Sequence, residues 1–216
     1  MNGFAIGLLA VHLAVTATHL VANARRFVRL RDATKPLLMV SLLAFYLVAA
    51  PLPILPIVLA LVFSIAGDTL LLSNKPIWFL LGGIAFLLGH VAYVWAFVAG
   101  IRFATLTPLV ALIVLPYLAV TLWQYHVICD GLGRMKAPTI AYLTMLALLG
   151  STAFARFVSI GSMPALLTFA GSVVFLVSDF WLTRDRFHAQ SKHGDFVVML
   201  TYCAAQLLIV GGYVLA

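Results

Sequence analysis

Glutamate is absent from the 216 residues, aspartate occurs only six times, and charged residues of all kinds make up 9% of the chain. A soluble domain carries roughly 25%. Hydrophobic residues reach 64%, more apolar surface than a soluble fold of this length can hide, because its surface-to-volume ratio leaves many residues exposed. Lipid is the expected solvent. The 13 Lys and Arg outnumber the acids, but nucleic-acid binding needs a basic face set among polar residues. Here the basic residues fill short gaps between apolar runs, where membrane topology and anionic lipid account for them. Nucleic acid is not an expected partner.

Cysteine is nearly absent too. Cys129 falls in a polar gap and Cys203 in an apolar run, so no disulfide is expected between them. The start, Met1-Asn2-Gly3, lacks a basic region and a small-residue cleavage pattern. The first apolar run is therefore read as a retained span and not as a signal peptide.

What the chain has is length of apolar run. A membrane-crossing helix needs about 20 mainly apolar residues. On that ruler the expected architecture is all-α, a single transmembrane domain over 1–216. Its eight spans lie at about 4–22, 36–52, 54–73, 77–99, 107–125, 138–155, 163–183 and 196–216. Arg/Lys clusters, Pro and Gly separate them: 23–35, Pro51 and Pro53, Asn74 to Pro76, 100–107, 129–137, 159–162 and 184–195. Odd-numbered loops carry Arg25, Arg26, Arg29, Arg31, Lys35, Lys75, Arg134, Lys136, Arg184, Arg186 and Lys192, whereas even-numbered loops carry Arg102 and Arg156. Positive charge collects on the cytoplasmic side. The odd loops are therefore expected in the cytoplasm and both termini on the opposite side.

Four aspartates, Asp32, Asp130, Asp185 and Asp195, fall in the basic gaps, where a solvated charge costs little. Asp68 and Asp179 fall inside spans. A carboxylate there costs at least roughly 2.5–3.5 kcal/mol by insertion scales, so it must face the bundle interior and have a partner. Both host spans run toward the cytoplasm, and at 1.5 Å per residue Asp68 lies ~7 Å and Asp179 ~6 Å inside their cytoplasmic ends. Equal depth lets the two share a site. Separate pairing of each with a nearby Arg, Tyr or Gln is the alternative.

Other polar residues gather on the same side. Tyr142 and Tyr202 lie ~6 Å and ~9 Å in from the cytoplasmic ends of the sixth and eighth spans. Gln206 follows Tyr202 by four residues, Ser64 precedes Asp68 by four, and Ser178 adjoins Asp179; the four-residue pairs share helix faces. His90 and Tyr93 also share a face, nearer mid-span. All are equally suited to ordinary helix-to-helix hydrogen bonds. His90 is the one His, Cys or Glu within a span near the acids, too little for a metal site. No Gly-x-Ser-x-Gly elbow is present, which leaves a serine hydrolase unsupported. The presenilin-type pattern, Tyr-Asp with Gly-x-Gly-Asp, is broken at both halves: Ser178 precedes Asp179, and Ile65 stands before Ala66-Gly67-Asp68.

Taken in order, the motifs resemble a known family. Lys35-Pro36-Leu37 opens the second span, Ser64-Ile-Ala-Gly-Asp68 lies in the third and Phe86-x-x-Gly-His90-x-x-Tyr93 in the fourth. Tyr142 lies in the sixth, Phe175-x-x-Ser-Asp179 in the seventh and Tyr202-x-x-Ala-Gln206-x-Leu-Ile209 in the eighth. The series resembles the YhhN-like lysoplasmalogenases from about residue 35 to the end. Gly89 stands where that family often has Ser or Ala. The resemblance implies an integral membrane hydrolase of eight helices that cleaves the vinyl-ether bond of lysoplasmalogens. The products would be a fatty aldehyde and a glycerophospho-head group such as glycerophosphoethanolamine or glycerophosphocholine. It further implies that Asp68 and Asp179 are catalytic, and it implies no metal or organic cofactor. Ser64, His90, Tyr93, Tyr142, Ser178, Tyr202, Gln206 and Lys35 are the candidates for substrate contact or support. The expected partners are a lysophospholipid and the bilayer of a bacterial plasma membrane, with a homodimer left open.

The chemistry fits the residue types. An enol ether is hydrolysed by protonation of its β-carbon, giving an oxocarbenium ion that water attacks. That requires one acid still protonated near neutral pH and a second carboxylate to stabilise the cation or activate water. Burial and a like-charged neighbour are two ways to keep one carboxyl of a pair protonated. Two-carboxylate glycosidases divide the labour the same way. Lys75, Arg134, Lys136, Arg184 and Arg186 have the charge and depth to meet a phosphate, although topology alone accounts for most of them. The competing class is a small lipid or proton-coupled transporter using the two Asp as a relay; the lack of an inverted repeat or paired broken helices weighs against it.

Overall fold

The computed structural model describes residues 2–73, 75–105 and 111–216, and its regular structure is all helical, with no strand among these residues. Asn74 and the start of the fifth expected span, Thr107 to 110, lie outside the described residues. Eight α-helices follow in chain order: α1 Gly3–Ala24, α2 Val28–Ala49, α3 Leu55–Leu70, α4 Pro76–Ala99, α5 Ala111–Ile128, α6 Lys136–Ile160, α7 Met163–Phe187 and α8 Gly194–Val214. Six of them (α1, α2, α4, α6, α7 and α8) are long and apolar enough to cross a membrane. Large apolar side chains such as Phe4, Leu47, Leu88, Trp95, Leu122 and Val177 point outward, as a lipid solvent requires. The chain is an integral, multi-pass membrane protein.

Local chemistry sets the helix ends. Asn2 caps α1 by accepting from the Ala5 N–H at 2.8 Å. At its other end the Phe27 N–H reaches the Ala22 carbonyl and the Arg26 N–H the Asn23 carbonyl. This paired closure places Arg26 in the left-handed region, φ 57°, a position usually given to glycine. Between α2 and α3 the chain turns at Pro51 and Pro53, where the Ile54 N–H donates to the Tyr46 hydroxyl at 2.9 Å. Gly161, at φ 67°, ends α6, and the Ser162 hydroxyl caps α7 by accepting from Ala165 N–H.

Several boundaries differ from those expected of the apolar runs. α2 starts at Val28, not 36, taking in Arg29, Arg31, Asp32 and Lys35 with Pro36 inside the helix. Hydropathy does not register this polar first part, but backbone hydrogen bonding does not depend on polarity, and Arg31 and Asp32 pair at 2.9 Å. α3 stops at Leu70, short of 73. α6 continues to Ile160, so Arg156 is not a loop residue: it is buried within the helix and donates to Thr168 Oγ1 at 3.3 Å. α7 likewise absorbs Arg184, Asp185 and Arg186, and Asp195 stands in the first turn of α8.

The described chain forms two compact units, one of residues 1–96 with 213–216 and one of residues 97–212. In the first, α2 packs against α1 and α3. His12 and His19 of α1, both buried, meet the hydroxyls of Ser41 and Thr34 at 3.0 and 2.9 Å. In the second, α6 packs against α5 and α7. α7 and α8 approach so closely at Gly171 that a Cβ there would lie 2.9 Å from the Ala205 carbonyl oxygen and 2.8 Å from the Ile209 side chain.

Candidate functional site

The first unit holds Asp68 in the last turn of α3, 2% exposed. One turn earlier Ser64 is equally buried and donates back to the Ala60 carbonyl at 2.9 Å. That bond satisfies the hydroxyl within its own helix. α4 lies against the same face: the Phe86 ring covers Gly67, and a Cβ at Gly89 would stand 3.3 Å from the Ala60 oxygen. A Ser or Ala at residue 89 would therefore press on α3. His90 and Tyr93, on α4, are fully buried. Lys35 sits half-buried in α2.

Asp179, in the second unit, is 4% exposed and stands about two turns before the end of α7. The Tyr142 hydroxyl, from α6, donates to its carboxyl. The Thr183 hydroxyl donates to the Asp179 backbone oxygen at 2.7 Å. Gln124 of α5, fully buried, donates from Nε2 to Thr183 Oγ1 at 2.8 Å and to the Asp179 backbone oxygen at 3.4 Å. Trp123 stacks on Phe180 with ring centroids 5.0 Å apart, pressing α5 on α7 at the same level. From the other side, the Tyr202 ring meets Phe175 edge-on at 5.7 Å, and the Ser178 hydroxyl donates to the Val198 carbonyl at 3.1 Å. Gln206, one turn beyond Tyr202, is fully buried.

The residues expected at the site thus divide between the units. Asp68, Ser64, His90, Tyr93 and Lys35 belong to the first; Asp179, Ser178, Tyr142, Tyr202 and Gln206 belong to the second. Within the second, Tyr142 joins Asp179 directly, and Tyr202 packs one turn away from it on α7. Asp68 stands two residues before the end of α3 and Asp179 eight before the end of α7. Gln124 and Thr183 were not anticipated. Their signal is an amide and a hydroxyl close to apolar stretches, which membrane proteins bury only against a partner.

Chemically, Asp179 offers a carboxyl removed from water, held by a phenol and by a backbone fixed from α5. Such a group can give or take a proton at a defined place. Among the described residues no three His, Cys, Asp or Glu side chains group in a way that would hold a metal ion.

Over 154 residues the chain is 37% identical to lysoplasmalogenase TMEM86B of Homo sapiens and 34% identical to that of Sus scrofa. Over 157 residues it is 28% identical to lysoplasmalogenase TMEM86A of Bos taurus. These alignments cover 69–71% of the chain but 59–62% of the relatives, so the chain spans about three fifths of their length. No solved structure matches it. The YhhN family model matches residues 30–213, a stretch that contains both buried aspartates, and the chain belongs to the YhhN family.

Proposed function

We propose that the protein is a membrane hydrolase that cleaves the vinyl-ether bond of lysoplasmalogens, with Asp68 and Asp179 as its acid–base pair. The observation that carries the reading is Asp179: a buried carboxyl in an apolar helix, hydrogen-bonded by Tyr142, in a chain whose relatives are named lysoplasmalogenases. The burial of Asp68 in α3 supports the second role. One carboxylic acid protonates the β-carbon of the alkenyl chain. The oxocarbenium ion then takes a water at the α-carbon while the other carboxylate accepts that water's proton. The resulting hemiacetal collapses to a fatty aldehyde and a glycerophospho-head group, glycerophosphoethanolamine or glycerophosphocholine. Tyr142 orients the carboxyl of Asp179, and Tyr202, Gln206, Ser178, Ser64, His90, Tyr93 and Lys35 shape the surroundings.

In this reading all eight helices cross one bacterial plasma membrane as a single domain, with both termini outside the cytoplasm. A homodimer is compatible with it and unnecessary to the chemistry. The test is release of fatty aldehyde from 1-alkenyl lysophospholipid by purified protein in detergent, with 1-alkyl and 1-acyl lysophospholipids as controls. Aldehyde from the alkenyl lipid alone is the expected result. A transporter needs two compartments and would release none.

A further inference from the structure

The Gln124 side chain has one end fixed and the other unanswered. The Thr183 hydroxyl directs its single proton to the backbone oxygens of Asp179 at 2.7 Å and Phe180 at 3.2 Å. Its remaining lone pair can only accept. The amide of Gln124 must therefore present Nε2 to Thr183 and to the Asp179 carbonyl; the flipped amide would set oxygen against oxygen at both. Oε1 is thereby turned away, fully buried, and no donor among the described residues reaches it. An acceptor left like this bears its full desolvation cost, and the large majority of buried side-chain polar atoms in native proteins have a partner. The complement of this atom is a hydroxyl, or another small donor, arriving beside Asp179.

We infer that Gln124 Oε1 is the acceptor for the free glycerol sn-2 hydroxyl of the substrate, and so selects a lyso-lipid over its acylated form. The inference rests on the assignment of Asp179 to the vinyl-ether bond. In a 1-alkenyl lysophospholipid the ether oxygen and the sn-2 hydroxyl are on adjacent carbons. A group bonded to the backbone of residue 179 is therefore suited to meet the hydroxyl when the 179 carboxyl meets the ether. Acylation of that hydroxyl removes the donor and adds bulk where α5 and α7 are already clamped by Trp123 on Phe180. The neutral amide also suits a neutral hydroxyl, since a carboxyl there would set a second buried acid beside Asp179.

The experiment measures binding separately from turnover. Dissociation constants are taken for 1-O-alkyl-glycerophosphocholine with the sn-2 hydroxyl and for its 2-deoxy analogue, neither of which can be hydrolysed, on wild type, Gln124→Met and Gln124→Glu. Wild type should favour the hydroxyl compound by about 5- to 30-fold, the worth of one buried hydrogen bond. Gln124→Met should bind both alike, and Gln124→Glu, which keeps an acceptor, should retain a preference. Equal binding of the two lipids by wild type overturns the inference, and this comparison stands even where a variant does not fold. An equal loss of affinity for both lipids in Gln124→Met also overturns it, since that marks a packing residue or the site of a bound water. Aldehyde release from the 1-alkenyl lipid is recorded alongside: wild type that prefers the hydroxyl but releases no aldehyde defeats the hydrolase reading and leaves the hydroxyl site standing.

Discussion

The Tyr142 hydroxyl donates to the Asp179 carboxyl, tying α6 to α7 at a buried acid. A phenol in that place has a direct hold on a group whose proton matters. Tyr142→Phe should therefore lower kcat by about 2- to 10-fold, the worth of one hydrogen bond, and displace the pH–rate profile. Tyr202→Phe keeps the ring that meets Phe175 and should leave the profile in place. Steady-state rates across pH for both variants decide this; a Tyr142→Phe enzyme with an unmoved profile would reduce Tyr142 to packing.

Replacing either acid by its amide preserves volume and removes the proton. Asp68→Asn and Asp179→Asn should each lose at least the roughly 10²–10⁴-fold of a general acid–base step while still folding and binding lipid. Aldehyde assays paired with thermal unfolding in detergent separate lost chemistry from lost structure. Wild-type turnover in either variant removes that residue from the mechanism.

The pH–rate profile of the wild type should be bell-shaped. Under the proposed two-acid mechanism its two limbs would report coupled ionisations of the pair and not of either aspartate alone. A single sigmoid would argue for one working carboxyl.

Protonation at carbon leaves a mark in the product. Turnover in D₂O should place one deuterium on the carbon next to the aldehyde, read by mass spectrometry of a rapidly trapped product. Aldehyde free of deuterium would exclude β-carbon protonation.

Gly171 tests the packing behind Asp179. A side chain there meets the Ala205 carbonyl and Ile209, and overpacking of that kind costs about 1–3 kcal/mol. Gly171→Leu should lower the midpoint of thermal unfolding in detergent, with Gly211→Leu, where nothing lies within 4 Å, close to wild type.

Much of this was legible in the chain. The apolar runs located the helices, and Asp68 and Asp179 stood out because a carboxylate among leucines and valines has no cheap explanation. The failures share a cause, which is that hydropathy treats a polar residue as a boundary. Arg29, Arg31 and Asp32 concealed the first turns of α2, and Arg156 passed for a loop residue although α6 carries it inward to Thr168. Gln124 had the opposite fault: one uncharged amide hardly disturbs an apolar average, so it went unnoticed. The bond from Tyr142 to Asp179 was out of reach for a different reason. Sequence spacing relates residues along one helix, while the rotation that turns α6 toward α7 is set by packing between helices.

The brevity of α3 bears on where the reaction could get its water. Its 16 residues rise about 24 Å, less than the ~30 Å of hydrocarbon in an average bilayer. In the eight-span reading, a helix that short is accommodated by local thinning of the bilayer or by polar groups drawn in at its end. Asp68 occupies that end. On that reading the mismatch would shorten the path from the interface to Asp68, and a hydrolase set in lipid would receive its second substrate through the deficit in its own helix.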